Sequence, residues 1–219
     1  GRLYIMNIDH CNSHSSFMDK VEMSNLWQEI TLPTKPLKHI DDENGEIALC
    51  ILSAINIGKI RDLEYLEILC DLAVRSLDEL IDFQNYPIRA AEIATKARRS
   101  LGIGYIGLAH YLAKNGVNYS DTEAWKLVHD LTEAFQYYLI QSTVNLAEEK
   151  GACEYSSRTK YGNGILPIDT YKHDVDEIVA NELHYDWESL RLRVKEHGVR
   201  NSTLSAQMPS ESSSVVSNA

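Results

Sequence analysis

The sequence predicts an α/β protein that is rich in helix and has largely parallel strand pairing. Long segments carry apolar residues at three- and four-residue steps, and short β-prone or apolar runs lie between them. Strands separated by long helices favour parallel sheets, because a parallel connection needs a crossover of a dozen or more residues. With 219 residues, the chain is long enough to bury one sizeable core.

Three segments predict strands. Residues 3–8 are β-prone and lead into a polar segment that extends to Ser24. Residues 46–57 form a nearly continuous apolar run that fits a strand buried on both faces. Periodicity alone does not exclude a buried helix for this run. Residues 202–208 predict a strand that enters the serine-rich end of the chain.

Two helices are predicted in the first half of the chain. Residues 62–83 carry one apolar stripe, and Cys70 lies on or near it, which indicates a buried structural thiol. Pro87 can open the next helix, since its missing N–H costs nothing in the first turn. Basic residues in the last turns of this helix suit its dipole; they are Lys96, Arg98 and Arg99.

Two further helices are predicted in the second half. One begins at the capping sequence 120–123 and extends to Lys150, where Gly151 ends it. The other covers residues 186–197 and ends at Gly198. The aromatic residues of the longer helix are interpreted as packing groups rather than a cofactor site; they are Trp125, Phe135, Tyr137 and Tyr138.

Charge and hydropathy limit the partners. The net charge of −11 argues against general nucleic-acid binding, because that affinity depends on Lys and Arg neutralising phosphates. No run approaches the ~20 apolar residues of a membrane span, and no signal peptide is recognisable, so a cytoplasmic protein is expected. The chain starts at Gly1 and stops just after a polar loop, which indicates a piece of a longer polypeptide.

The cysteine and histidine pattern predicts no metal site. The four cysteines are widely spaced without a Cys-x-x-Cys, so most are expected to be reduced thiols. Residues 9–14 contain metal-capable side chains, but no second cluster accompanies them at zinc-like spacing. A polar connection after a strand is the favoured interpretation of that segment.

A dinucleotide-binding pattern is present but lacks its context. Gly102, Gly104 and Gly107 match G-x-G-x-x-G, and Asp121 lies near the ~20-residue distance of a ribose-binding acid. The pattern requires a strand before its first glycine, whereas residues 90–100 are charged, alanine-rich and helical in character. A Rossmann site is therefore disfavoured.

The strongest signal is a set of short blocks that resembles one enzyme family. Residues 25–34 read Asn-Leu-Trp-Gln-Glu-Ile-Thr-Leu-Pro-Thr. This segment resembles the active-site loop of the large, catalytic subunit of class I ribonucleotide reductase, in which a cysteine stands where Trp27 stands here. Further matching blocks follow in the family's order and at closely matching separations; they are residues 44–50, 101–108, 200–203 and 209–214.

The resemblance implies a fold and a domain assignment. Residues 1–219 would form part of the family's ten-stranded α/β barrel, incomplete at both ends. The glycine block 101–108 would be structural in such a protein, a helix connection with close backbone packing.

The resemblance also assigns roles in the active-site loop. Asn25 would bond the ribose hydroxyls of a ribonucleotide, and Glu29 would be the general base for the 3′-hydroxyl proton. In an extended loop, residues two apart point to the same side, so Asn25, Trp27 and Glu29 are expected to face one pocket. Without the other blocks, a solvated loop would be the simpler interpretation of Asn25 and Glu29.

Two more sites follow from the resemblance. Cys50 would be one of the redox-active cysteine pair, with its partner N-terminal to Gly1, although a lone cysteine in an apolar strand is usually structural. The loop after Pro209 would hold the substrate phosphates through hydroxyl and backbone N–H donors, the alternative being a flexible serine-rich tail. Its residues are Ser210, Glu211, Ser212 and Ser213.

The implied activity is the reduction of ribonucleoside diphosphates to deoxyribonucleotides by thiyl-radical chemistry, for DNA precursor synthesis. Trp27 has no S–H bond, so this chain alone is expected to be inactive. It would bind no cofactor itself and would need the remaining large-subunit segments, a metal-containing radical-generating small subunit, and a dithiol reductant such as thioredoxin or glutaredoxin. The alternative is a non-catalytic nucleotide-binding or interaction remnant of the same fold.

Overall fold

The computed structural model describes residues 3–179 and 182–219. Two strands, β1 (Ile51–Asn56) and β2 (Leu101–Ile106), lie among eight helices in these ranges. The helices are α1 (Ile8–His14), α2 (Tyr65–Phe83), α3 (Arg89–Arg98), α4 (Leu108–Lys114), α5 (Thr122–Lys150), α6 (Pro167–Thr170), α7 (Trp187–His197) and α8 (Glu211–Ser217). Short 3-10 helices cover Ile57–Lys59, Ser156–Arg158, Tyr161–Asn163 and His173–Glu177.

The strands pair in parallel, as the sequence predicts. The register runs from Ile51 opposite Leu101 to Asn56 opposite Ile106, and α2 and α3 form the crossover between the strands. The strand predicted over residues 46–57 is shorter than expected and only partly buried, because Leu52 is 42% exposed. The expectation of burial on both faces is therefore wrong for this chain.

The segment predicted as a strand over residues 202–208 runs beside β2 on the side away from β1. Leu101 N donates to Thr203 O at 3.0 Å, and Ile103 N donates to Leu204 O at 2.8 Å. A single parallel bridge, Ile103 to Ser205, is formed, so the segment is extended without being a full strand.

The prediction of a strand over residues 3–8 is wrong. Ile8 starts helix α1 instead, and Cys11 N donates to Asn7 O in its first turn. Leu3 and Ile5 are 88% and 84% exposed, and no strand pairs with them in the described ranges. Because β propensity reflects packing against neighbouring strands, a β-prone segment without such a neighbour gains nothing from being extended.

The helix predictions are confirmed for α2, α3, α5 and α7. The carboxylate of Asp186 accepts a hydrogen bond from Ser189 N and caps α7. Gly151 ends α5 with a positive φ, and Cys70 on α2 is fully buried. Pro87 lies before the N-cap residue Ile88 rather than inside the first turn.

The glycine block lies in a strand, not in the expected helix connection. Gly102 and Gly104 belong to β2, directly after α3, so the strand that a Rossmann site needs before its first glycine is missing. The close backbone packing is confirmed: a Cβ on Gly102 would lie 2.6 Å from Leu52, and one on Gly104 would lie 2.5 Å from the carbonyl oxygen of Ala206.

The core lies where α2 and α5 pack against each other and against the strand pair. Of the aromatic residues on α5, Phe135 and Tyr138 are buried, and Tyr137 stacks on Tyr185 with ring centroids 4.7 Å apart. Trp125 departs from the prediction, because it is 38% exposed and lines an apolar cavity of about 570 Å³ between α5 and the segment before α7.

A buried ionic network joins this core to the end of α3. Asp78 on α2 is 1% exposed and accepts hydrogen bonds from Arg99 Nε at 2.7 Å, Asn201 Nδ2 at 3.0 Å and Arg200 Nε at 3.2 Å. Thr143 on α5 bonds Asn201 in turn, at 2.9 Å. The network thus connects two helices with residues 200–201, which lead into the segment that runs beside β2.

Lys96 and Arg98 lie in the last turn of α3, as the sequence predicts, and Arg99 follows as the C-cap residue, but the side chains of Arg98 and Arg99 are buried. They are 3% and 5% exposed, and each forms ion pairs with carboxylates from other parts of the chain. Arg99 adopts a left-handed conformation with φ of 49°, which ends α3.

No helix of the described ranges has the length and apolar character that a bilayer span requires.

Substituting Asp78→Ala is expected to lower the free energy of unfolding by about 3 kcal/mol or more, because it leaves buried guanidinium groups without their shared carboxylate. The matched control is Glu79→Ala at the next position, where the side chain is 66% exposed and pairs with Lys150. This change should cost at most about 1 kcal/mol. Urea unfolding followed by circular dichroism measures both, and equal costs would contradict the role given to Asp78.

Candidate active site

Residues 25–29 form a turn rather than the expected extended loop. Gln28 N donates to Asn25 O at 3.2 Å, and Gln28 has a left-handed φ of 58°. Alternation of side chains requires extended backbone, so Asn25, Trp27 and Glu29 do not share one side here. The prediction that they face a common pocket through that alternation is wrong.

The turn exposes two of its three candidate side chains. The Asn25 carboxamide oxygen accepts long hydrogen bonds from Ser24 Oγ at 3.3 Å and Ile30 N at 3.4 Å, which close the base of the turn. Trp27 is 59% exposed and does not line the polar cavity that contains Glu29. Its indole therefore leaves that cavity open.

Glu29 lines a polar cavity of about 170 Å³. One carboxylate oxygen, Oε2, is buried and has no hydrogen-bond partner among the described residues. Residues that carry hydroxyl groups form most of its lining; they are Ser15, Ser16, Thr31, Tyr161, Thr203 and Ser205. A carboxylate with free acceptor capacity beside a polar cavity can take a proton from a hydroxyl group placed there.

Cys50 lies immediately before β1 and is half-buried. It packs against a small apolar cluster that contains Phe17, Ile30 and Ala206. Burial raises the pKa of the Cys50 thiol to about 11, and the negative charge of Glu29 adds to the effect. Ile30, next to Glu29, belongs to the cluster against which Cys50 packs, so the structure brings Cys50 and Glu29 close together, and the thiol holds its proton at neutral pH.

The serine loop opens helix α8. Ser210 is the N-cap residue, half-buried, and its hydroxyl donates to Met208 O rather than to the helix. Glu211, Ser212 and Ser213 are exposed in the first turn. The segment is helical, so the alternative of an unstructured serine-rich tail does not describe it.

Helix α8 lies at the other end of β1 from Cys50. Asn56, the last residue of β1, donates to Ser217 O at 3.2 Å, and Ser210 shares a cavity of about 380 Å³ with Tyr105 and Gly107. Asn56 lies six positions after Cys50, about 20 Å along an extended strand. Residues 203–210 connect the two regions, since they run from the Glu29 cavity to α8.

An ion cluster centred on the buried pair Arg98 and Glu46 holds the two loops of the site, and the sequence interpretation missed it. Arg98 pairs with Glu46 at 2.8 Å and with Asp19 at 2.9 Å, and Arg158 also pairs with Asp19 at 2.9 Å. Burial alone would raise the pKa of Asp19, but hydrogen bonds from Arg158 and Arg98 hold it below its usual value. Charged residues at the end of a helix usually face solvent, so the sequence contains no local signal for this cluster.

Within the described residues, no group of three or more His, Cys, Asp or Glu side chains is arranged to hold a metal ion. The metal-capable segment 9–14 forms most of α1, which has no buried residue. Each of the four cysteines is a free thiol.

Comparison with known proteins shows the family of the chain. The whole chain, residues 1–219, matches the family model of the ribonucleotide reductase barrel domain. It is 62% identical to ribonucleoside-diphosphate reductase subunit alpha of Haemophilus influenzae and 58% identical to ribonucleoside-diphosphate reductase 1 subunit alpha of Escherichia coli. The corresponding alpha subunit of Enterobacteria phage T4 is 42% identical.

The chain belongs to the ribonucleotide reductase barrel-domain family. The alignments cover 99–100% of this chain but 29% of the length of each of these relatives. The predicted family and the predicted α/β class are confirmed, and the parallel strand pair with its helices is part of an α/β barrel.

Alkylation of Cys50 tests its electrostatic environment. With a pKa of about 11, roughly one thiol in a thousand is ionised at pH 8, and the thiolate is the reactive form. Removing the charge of Glu29 lowers this pKa, so Glu29→Gln should accelerate alkylation of Cys50 by iodoacetamide at pH 8. Peptide mass spectrometry across a pH series measures the rate of Cys50 alkylation. In Glu29→Gln, the midpoint of this pH profile should move to lower pH.

The matched control for alkylation is Glu22→Gln, which removes a fully exposed carboxylate from the same loop. This change should leave the pH dependence of Cys50 alkylation unchanged. Equal acceleration by both variants, or by neither, would show that Glu29 does not act on Cys50.

Proposed function

We propose that this chain is a component of a ribonucleoside-diphosphate reductase alpha subunit and contributes part of its substrate-reducing site. The observation that carries the proposal is that two segments distant in the sequence meet at one apolar cluster: Ile30, next to Glu29, belongs to it, and Cys50 packs against it. The relatives bear the name of this activity. The proposed site also uses Asn25 and the residues of α8.

The proposed role of Glu29 is to accept the proton of the substrate's 3′-hydroxyl group. Its carboxylate lines a polar cavity and has one oxygen without a partner, which leaves acceptor capacity for that hydroxyl. Asn25 closes the turn beside Glu29 through weak hydrogen bonds, and its amide group is exposed to a ribose placed above it. Exchange of these long bonds for substrate hydroxyls would cost little.

The proposed role of Cys50 is to supply reducing equivalents. In the overall reaction, two thiols form a disulfide and give up two hydrogen atoms, which amount to two protons and two electrons. One hydrogen leaves with the 2′-hydroxyl group as water, and the other takes its place on carbon 2′. Since its pKa of about 11 keeps Cys50 protonated, the thiol carries the hydrogen atom that this reaction consumes. A second cysteine from another segment of the subunit completes the pair in this proposal.

The proposed role of α8 is to bind the substrate's diphosphate group. The first N–H groups of a helix have no partner within it, and Ser210 does not cap α8 with its side chain. These N–H groups and the exposed hydroxyls of Ser212 and Ser213 are donors for phosphate oxygens. The segment 203–210 would then connect the ribose and phosphate ends of the substrate.

Trp27 makes the chain as it stands catalytically incompetent in this proposal. An indole has no S–H bond, so it cannot supply the thiyl radical that abstracts the 3′-hydrogen. The remaining requirements are further subunit segments that complete the barrel, a metal-containing small subunit that generates the radical, and an external dithiol such as thioredoxin or glutaredoxin. A cytoplasmic location and the absence of nucleic-acid binding remain predictions from the sequence.

Trp27 favours a second candidate, a non-catalytic nucleotide-binding or interaction protein with the reductase fold. Its ring is exposed and leaves the Glu29 cavity open, so the substitution removes the radical position without blocking the cavity. A nucleotide could therefore still bind at α8 and Glu29. Activity after restoration of the thiol separates this candidate from the first.

The Trp27→Cys variant is expected to reduce ribonucleoside diphosphates when it is supplied with the remaining alpha-subunit segments, the small subunit and a dithiol. The parent chain in the same complex should show no turnover. Formation of labelled deoxyribonucleotide measures both. In the Trp27→Cys background, Glu29→Gln should lower turnover about 10²- to 10⁴-fold, the usual contribution of a general base.

The matched control for turnover is Glu22→Gln, which should retain it. Inactivity of the Trp27→Cys variant in a complex of verified composition would contradict the proposed reductase role and favour the binding candidate.

A charge at the start of α8 tests the phosphate role separately. Ser213→Asp should weaken binding of a ribonucleoside diphosphate about fivefold, because it places a negative charge among the donors at the helix N-terminus. The control Ser157→Asp introduces the same charge at an exposed serine outside α8. Isothermal titration calorimetry at fixed ionic strength measures both, and equal weakening would argue against a phosphate site at α8.

A further inference from the structure

Arg98 connects the two loops that carry the proposed chemistry. Its Nε and Nη2 atoms donate to the same Glu46 oxygen at 3.0 and 2.8 Å, and its Nη1 donates to Asp19 at 2.9 Å. Arg98 and Glu46 are 3% and 4% exposed. The donors of a guanidinium lie in one plane and point in fixed directions. A buried guanidinium that pairs with two carboxylates therefore holds them in a fixed relative position.

Each carboxylate belongs to a different site loop. Asp19 lies six residues before Asn25, and Glu46 lies four residues before Cys50. The backbone of Glu46 also exchanges two hydrogen bonds with Lys35, each at 3.1 Å. Movement of Arg98 would therefore shift both loops relative to the end of α3.

Aromatic rings restrict the Arg98 guanidinium further. Its central carbon lies 5.0 Å from the ring centroid of Tyr155 and 5.9 Å from that of Phe17. Phe17 is in the same apolar cluster against which Cys50 packs. The cation–π contacts and the ion pairs act together, so the orientation of the guanidinium is set on several sides.

We propose that Arg98 is a positioning residue that sets the separation between Glu29 and Cys50. The proposal rests on the proposed function, since it gives Arg98 a role in the same site. Arg98 lies behind the two loops and acts through Asp19 and Glu46. A lysine cannot reproduce this geometry, because a single ammonium group cannot hold two carboxylates in the directions of a planar fork.

The neighbouring Arg99 provides a matched control. It is also buried and also pairs with two carboxylates, Asp78 at 2.7 Å and Asp82 at 2.8 Å. Neither carboxylate belongs to a site loop. Arg99→Lys therefore disturbs a buried ion network of the same kind without releasing either loop.

The experiment measures the action of Glu29 on Cys50 in three backgrounds of the full chain. Alkylation of Cys50 is followed with and without Glu29→Gln in the parent, in Arg98→Lys and in Arg99→Lys. The acceleration caused by Glu29→Gln is expected in the parent and in Arg99→Lys, and it should be lost in Arg98→Lys. Coulomb interactions weaken with distance and with access of water, so released loops no longer couple the two groups.

Two outcomes would overturn the positioning role. One is an acceleration that persists in Arg98→Lys, and the other is an equal loss in Arg99→Lys, which would indicate a general effect of destabilisation. If Arg98→Lys does not fold, as judged by circular dichroism, Asp19→Asn replaces it. Asp19→Asn removes one of the two anchoring charges and keeps the side-chain shape, so it should reduce the acceleration, and an undiminished acceleration would overturn the role.

The alkylation experiment uses no substrate, so its result is independent of turnover. In the reconstituted Trp27→Cys subunit, Arg98→Lys should lower kcat by a larger factor than it raises KM for the diphosphate, because the proposed phosphate contacts at α8 lie at the other end of β1. An inactive Trp27→Cys parent would count against the proposed function and leave the alkylation result to decide the positioning role.

Discussion

The fold depends on two consecutive buried arginines at the end of α3. Arg99 turns into the left-handed conformation, and the chain continues directly into β2. Arg99 then pairs with Asp78 in the helical core, while Arg98 pairs with Glu46 and Asp19 in the site loops. Buried charges are stable only with partners, so each arginine requires its carboxylates to be in place. The two arginines of this short turn thus connect the helical core to the candidate site.

This arrangement explains how segments without regular secondary structure can hold Glu29 and Cys50 in place. Glu29 and Cys50 both lie outside regular secondary structure, yet the apolar cluster around Phe17 and the Arg98 ion pairs fix the segments that precede them. Burial keeps Cys50 protonated, and Glu29 retains acceptor capacity beside a polar cavity. In the proposed function, Cys50 supplies a hydrogen atom and Glu29 accepts a proton, and both roles use these properties.

The sequence predicts some elements well for a physical reason. The long helices α2, α5 and α7 follow from apolar periodicity and local capping, both of which act within a few residues. Strand prediction is less successful, because a strand is stabilised by partners that the local sequence does not reveal. Residues 3–8 lack such a partner and are not a strand, whereas β1 forms beside β2, over fewer residues than predicted.

The order and spacing of short motifs determined the family by themselves, and with it the candidate residues Asn25, Glu29, Cys50 and the α8 serines. The tertiary structure decided how those residues are placed. It makes residues 25–29 a turn, places Cys50 and α8 at opposite ends of β1, and buries Arg98 between two loops. Short motifs identify candidate side chains within the local sequence. Burial and ion pairing arise between segments distant in sequence, so they exist only after folding.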